Sequence, residues 1–190
     1  MKHLVLALLL TFSGSALAFG QPAGPPSSEP LAAVDPQAAF EKLKSLAGSW
    51  VGPITVSPAD GHAENMFGHL TLRVTSRGNA LVHEISPTGF PDHPVTMFYL
   101  DGDALIATHY CDAGNRPRFE GRMSADGTRL EFDFVELSGS DEHGHMQRAV
   151  FTFVDENHHI EEWTFKMPNG EFTGRFDVRR TNVGDAASAY

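Results

Sequence analysis

From Ser49 to Arg180 apolar and polar residues alternate, and turn-forming residues break the alternation roughly every 8–12 positions. Leu70, Leu72 and Val74 point away from His69, Thr71 and Arg73. Leu130, Phe132 and Phe134 point away from Glu131 and Asp133, and Phe172, Gly174, Phe176 and Val178 away from Thr173, Arg175 and Asp177. A strand sends successive side chains to opposite faces, so each segment has one face for a core and one for water. Ten strands follow: Ser49–Val56, Phe67–Ser76, Ala80–Ser86, Val95–Leu100, Ala104–Cys111, Pro117–Ser124, Arg129–Glu136, His145–Val154, His159–Lys166 and Phe172–Arg180. Glycine, asparagine and aspartate sit between them, as at Arg77 to Asn79, Asp101 to Asp103 and Pro168 to Gly170. Short turns between short strands predict an all-β antiparallel barrel or sandwich. Val95–Leu100 and Ala104–Cys111 are apolar on both faces. Their outer side needs a cover: the preceding helix, a long loop, or a second copy, which would make strands 95–111 a homodimer face.

The period is helical before the strands begin. Asp35 is a good N-cap and Pro36 a good first helical residue. Phe40, Leu43, Leu46 and Ala47 then share one face, and Gly48 is the expected stop. One amphipathic helix is predicted, suited to closing an end of a barrel. The domain is expected over residues 35–181, with a flexible tail over 182–190.

The N-terminus reads as a targeting segment. Lys2 precedes the apolar run Leu4–Leu10, too short to span a bilayer, and Ala16-Leu17-Ala18 forms a small-x-small cleavage site. Residues 1–18 are therefore expected to be a signal peptide, and the mature protein to be exported, periplasmic or secreted. No cysteine follows the cleavage site, so no lipid or other membrane anchor is expected. Residues 19–34 hold Pro22, Pro25, Pro26 and Pro30 among Gly, Ser and Ala, the composition of a disordered linker.

A net charge of −10 leaves no electrostatic footprint for nucleic acid. Cys111 is the only cysteine, so an intramolecular disulfide is excluded. It reads as a small buried side chain rather than a nucleophile.

The helix followed by Gly48-Ser49-Trp50 resembles the opening of the calycins: lipocalins, fatty-acid-binding proteins and nitrobindin-like haem proteins. The resemblance implies a lipocalin-like barrel of about ten strands. It also implies a structural pairing of Trp50, at the start of the first strand, with Arg180, which ends the inward row of the last. A guanidinium over an indole is a favourable contact. A closer likeness is to a group of uncharacterised exported bacterial proteins. It rests on Leu100-Asp101-Gly102-Asp103, Thr108-His109-Tyr110-Cys111 and Gly114-Asn115-Arg116-Pro117-Arg118, and spans Phe40 to about Arg180. That group implies a fold and no activity.

Thr108 to Arg118 is the most distinctive stretch, with His, Tyr, Cys, Asn and Arg across a strand end and a turn. Arg118 and Asn115 are positioned by sequence to hold a ligand anion with His109 beside it. The plainer reading is a turn whose polar groups satisfy its own backbone. Glu161 shares parity with Trp163 and Phe165, and His145 and Gln147 share parity with Phe151 and Phe153. Glu84 lies opposite Leu81 and Ile85. Inward polar groups orient ligands in apolar pockets, so Glu84, His109, Asn115, Arg118, His145, Glu161 and Trp163 are the candidate ligand-binding residues. His143 and His145 form a weak H-x-H metal pair, for which a polar loop is the commoner explanation. No cofactor is expected from the residues themselves; the nitrobindin likeness makes haem the runner-up.

The expected function is non-catalytic binding of a small apolar or amphipathic ligand in a barrel pocket. The alternatives are a haem- or metal-binding protein of nitrobindin type, and a small-molecule enzyme using barrel carboxylates and histidines. No nucleophile elbow supports hydrolytic chemistry, and no residue is assigned as catalytic.

Overall fold

The computed structural model describes residues 35–57 and 66–181. The expected signal peptide, linker and C-terminal tail lie outside the described residues. Helix α1 covers Pro36–Lys44. The Asp35 carboxylate accepts from the Gln37 backbone N–H at 3.0 Å, and Lys42 and Lys44 sit in the last turn, where they oppose the helix dipole. The helix stops earlier than the Gly48 signal suggests. The Ser45 hydroxyl donates to the Lys42 carbonyl at 2.6 Å, and the Leu46 and Ala47 N–H groups bond back to Leu43 and Lys44. The last turn therefore tightens and ends itself, and Gly48 instead begins the first strand.

The ten strands are β1 Gly48–Ser57, β2 Met66–Thr75, β3 Ala80–Pro87, β4 Val95–Asp101, β5 Ala104–Tyr110, β6 Arg116–Met123, β7 Arg129–Ser138, β8 His145–Asp155, β9 His158–Met167 and β10 Gly170–Arg180. Each pairs antiparallel with its neighbour in sequence, and β1 pairs with β10, which closes the barrel. Closure leaves no unpaired edge. It also requires β1 to approach β10 tightly: a methyl group on Gly52 would lie 2.1 Å from the Asp177 carbonyl oxygen. Bulges interrupt the register between Arg118 and Phe119, Met146 and Arg148, and Phe153 and Asp155.

The inward rows fill the barrel with aromatic rings. Trp50, Phe98, Phe119, Phe132 and Phe151 are fully buried, and their rings meet tilted or edge to face, as at Phe98 and Phe132 with centroids 5.0 Å apart. Phe40 and Leu43 of α1, with Leu46 just after it, join the same core, and α1 packs against β2, β4, β5 and β6. Arg180 binds this end together. Its guanidinium lies 4.2 Å from the Trp50 ring centre and donates to the carbonyls of Ala47 at 2.7 Å, Ser45 at 3.1 Å and Glu156 at 3.2 Å. The Trp50–Arg180 pairing implied by the calycin resemblance is present.

On the outer side of β4 and β5, Ile106 is buried between ladder partners Tyr99 and Glu120. The Tyr99 hydroxyl sits 3.3 Å from the Thr108 hydroxyl on the same face.

Candidate functional site

Three histidines lie inside the barrel with one carboxylate, and two of them, His83 and His159, are against it. His83 comes from β3, His109 from β5, and His159, Glu161 and Trp163 from β9. All are inward by the same parity that buries Leu81, Ile85 and Ala107, and all are essentially shielded from solvent. The His159 Nε2–H donates to Glu161 Oε1 at 2.9 Å, and the Trp163 indole N–H donates to Oε2 at 2.9 Å. His83 Nε2 lies 3.2 Å from Oε2, close enough for an ion pair but not aligned as a hydrogen bond. Burial pushes the Glu161 carboxyl up, but the His83 and His159 imidazoles outweigh it and hold the group well below the usual carboxylate range. Glu161 is therefore ionised at neutral pH.

Aromatic faces hold the rings in place. The His83 ring lies parallel to Trp163 with centroids 5.6 Å apart, and His159 meets Trp50 edge to face at 4.2 Å. His109 tilts against Trp163 at 5.5 Å. Its Nδ1 is 2.8 Å from the hydroxyl of buried Thr96, directly across the β4–β5 ladder. Burial, with the charge of His83, depresses His109 to a pKa of about 3. It is a neutral imidazole, and its Nε2 has no partner among the described residues. His83 Nδ1 and His159 Nδ1 are likewise buried and unpartnered. Polar atoms this deep are normally satisfied, so a cluster of orphans needs an explanation.

The other candidates fall elsewhere. Glu84 faces outward and is exposed, with its carboxylate 3.9 Å from His93. Parity decides this: His83, between Leu81 and Ile85, takes the inward place. Arg118 does not converge with His109. It lies on the outer face, where it bonds Asp101 at 2.8 Å and approaches Glu136 at 3.6 Å. Asn115 is buried as a strut, its amide donating to the carbonyls of Ser140 and Gly144 at 2.8 Å each. The expected anion site of Arg118, Asn115 and His109 is therefore not assembled. His145 is buried with its ring tilted against Phe134 at 4.7 Å, while the bulge after Met146 pairs it with Lys166 and leaves Met146 and Ala149 opposite Phe165 and Trp163. Both its ring nitrogens are engaged, Nδ1 with Asp141 at 2.5 Å and Nε2 with Gln147 at 3.0 Å. His143 is exposed, and among the described residues no group of three or more His, Cys, Asp or Glu can hold a metal. Burial pushes the half-buried Cys111 thiol up, which makes it a poor nucleophile.

The sequence reading missed His83, His159 and Thr96. The signal for the histidines was present, since each shares parity with buried apolar neighbours on its own strand.

A haem does not fit this donor set. The three inward histidines are packed against Trp50, Trp163, Phe98 and Phe151, which fill the cross-section a porphyrin would need. Among the described residues, two surface cavities are lined without histidine. One, of about 560 Å³, lies at the α1 end between Lys42, Phe153, Asn157 and Arg180. The other, of about 270 Å³, lies on the outer face between Thr108, Arg116, Arg118 and Glu136.

No protein-family model matches the chain. No curated protein matches it either. The crystal structure of Rv2717c from M. tuberculosis is similar in fold, with a TM-score of 0.56 at 9% sequence identity over 76% of this chain and 98% of that one. A protein of unknown function from the DUF3598 family of Nostoc punctiforme PCC 73102 aligns over 75% of this chain and 99% of its own, at 6% identity and a TM-score of 0.24, too low to carry an argument. The Rv2717c likeness and the closed ten-stranded topology place this chain among calycin-like barrels in fold, and in fold alone.

Proposed function

We propose that this protein is an exported, non-catalytic barrel that binds a small, largely apolar molecule inside its wall. The observation that carries the reading is His109. It is a buried neutral imidazole, one nitrogen fixed by Thr96 and the other without a partner among the described residues, in an aromatic surround. Apolar walls with a few placed polar groups are the usual makeup of a small-molecule site. The aromatic filling of the barrel limits the ligand to a small one. Glu161 is poorly suited to acid–base catalysis, because its pKa is held far below neutral.

Native mass spectrometry on the chain from Phe19, purified without refolding, tests this. A non-covalent added mass, absent under denaturing conditions and lost in His109→Leu, is the expected result. A bare mass that stays bare with small apolar alcohols, phenols and ketones overturns the reading.

A further inference from the structure

The surface cavity of about 560 Å³ at the α1 end has a built wall. Strand β8 carries one extra residue there. Phe153 pairs with His159 and Asp155 with His158, so Val154 has no place in the ladder and is turned outward, 50% exposed. The turn that follows is tied to β10: the Arg180 backbone N–H donates to the Asn157 carbonyl at 3.0 Å and its Nε–H to the Glu156 carbonyl at 3.2 Å. The Arg180 guanidinium is also held by the Trp50 ring and by the carbonyls of Ser45 and Ala47. A guanidinium has five N–H donors. Three of the five are engaged, which leaves two unengaged among the described residues on a group that cannot swing away.

The charges around this cavity do not neutralise one another. Lys42 and Arg180 line it together with Asp155 and Glu156, and among the described residues none of the four takes part in an ion pair. Elsewhere on the barrel wall opposite charges do pair, as at Arg118 with Asp101, Arg122 with Asp133, Arg129 with Glu131 and Arg175 with Asp177. The Lys42 ammonium instead lies 5.0 Å from the centre of the Phe153 ring. Asp155 accepts the Asn157 N–H of its own turn at 2.7 Å, while the Glu156 carboxylate has no partner among the described residues. Half-buried Phe153 and exposed Val154 add apolar surface to the same cavity.

The matching ligand carries an anion, a cation and apolar groups. A fatty acid lacks the cation and would leave Glu156 unmatched. A single amino acid carries both charges on one carbon, whereas the opposite charges of this wall lie beyond ion-pair reach of each other. Two residues extend to about 7 Å, which separates the termini of a dipeptide accordingly. Small-molecule sites commonly enclose about 300–1,000 Å³, so the cavity is of suitable size.

We infer that the cavity at the α1 end is a site for a short peptide with free termini and apolar side chains, its carboxylate on Arg180 and Lys42 and its ammonium on Glu156. This site is separate from the interior ligand proposed above, and neither depends on the other.

The test is calorimetric titration of the chain from Phe19 at neutral pH with leucyl-phenylalanine, its N-acetyl derivative, its C-terminal amide, and glycyl-glycine. The free dipeptide should bind, and each of the other three should bind about 10-fold or more weakly, since each lacks one matched feature. Lys42→Gln and Glu156→Gln replace exposed side chains, and circular dichroism should be unchanged in both. Lys42→Gln should weaken the free dipeptide and leave the amide unaffected; Glu156→Gln should weaken the free dipeptide and leave the N-acetyl derivative unaffected. Equal binding of the free and capped dipeptides overturns recognition of the termini. Unaltered binding of the free dipeptide in both variants overturns the placement. No binding of the free dipeptide at millimolar concentration overturns the inference altogether.

Discussion

Replacing Glu161 with glutamine tests whether the buried carboxylate is charged. The carboxylate accepts two hydrogen bonds, from His159 and Trp163, and has His83 at 3.2 Å. A hydrogen bond to a charged group contributes about 1.5–3 kcal/mol and a neutral one about 1. The amide keeps its oxygen for the Trp163 N–H, which has no other role. It must then turn its NH2 toward an imidazole, and that ring has to move its own proton to Nδ1. Two weakened bonds, and the lost attraction to the imidazoles, sum to about 3 kcal/mol. In a domain of this size that lowers Tm by about 6–12 °C. Glu161→Met should cost more, because it leaves the His159 and Trp163 donors unsatisfied. Urea titration of the three proteins at pH 7 should give the order Glu, Gln, Met. Repeating it in acid adds a second check. A carboxyl whose folded pKa is depressed contributes its full stability above the ordinary value of 4.5 and loses it as pH falls toward the folded value. The gap between wild type and Glu161→Gln should therefore narrow below that pH. A glutamine variant as stable as wild type at neutral pH would mean that the buried group is a neutral acid.

Other outcomes are open to direct measurement. Arg180→Ala removes three hydrogen bonds to carbonyls and the contact over Trp50, and should cost about 2–4 kcal/mol in urea denaturation, with Arg180→Lys recovering little of it. Asn115→Ala deprives two carbonyls of their donor and should speed hydrogen exchange across residues 139–145 without changing the barrel strands. His109 takes up its proton in the unfolded chain before it does in the native one, so its contribution is complete above pH 6.5 and is lost as pH falls toward about 3, at about 1.4 kcal/mol per pH unit. That part of the acid limb should vanish in His109→Gln. Gly52→Ala drives a methyl into the Asp177 carbonyl and should yield no folded barrel; a soluble variant with native circular dichroism would show that β1 can move away from β10.

The strands were legible because each carries its own period and its own turn. Arg129 to Ser138 shows this: Leu130 and Phe132 alternate with acids, and a glycine turn precedes them. Helix α1 was legible from Asp35 and Pro36 at its start, while its end was misplaced because the Ser45 hydroxyl closed the turn before Gly48. The site was legible only where parity ran unbroken. Glu161 and Trp163 were found that way. The pairing of His145 was not legible, because one extra residue after Met146 shifts the register upstream of it and nothing local in the sequence announces a bulge. Arg118 and Asn115 looked convergent because they are close in sequence. One lies on the outer wall and the other anchors a loop, a separation that depends on which strands flank them.

The seam between β1 and β10 has a consequence for how the chain is made. The first strand to leave the ribosome is bonded on one side to the last, so that side stays open until Arg180 has emerged. Until then the turn after α1 also lacks the side chain that bonds its Ser45 and Ala47 carbonyls. Every shorter product, whether a stalled nascent chain or the result of an early stop codon, exposes two strand edges to other chains. The barrel cannot form gradually from its N-terminus. It is assembled after release, through contacts far apart in sequence, which makes folding slow and truncation by even one strand prone to aggregation.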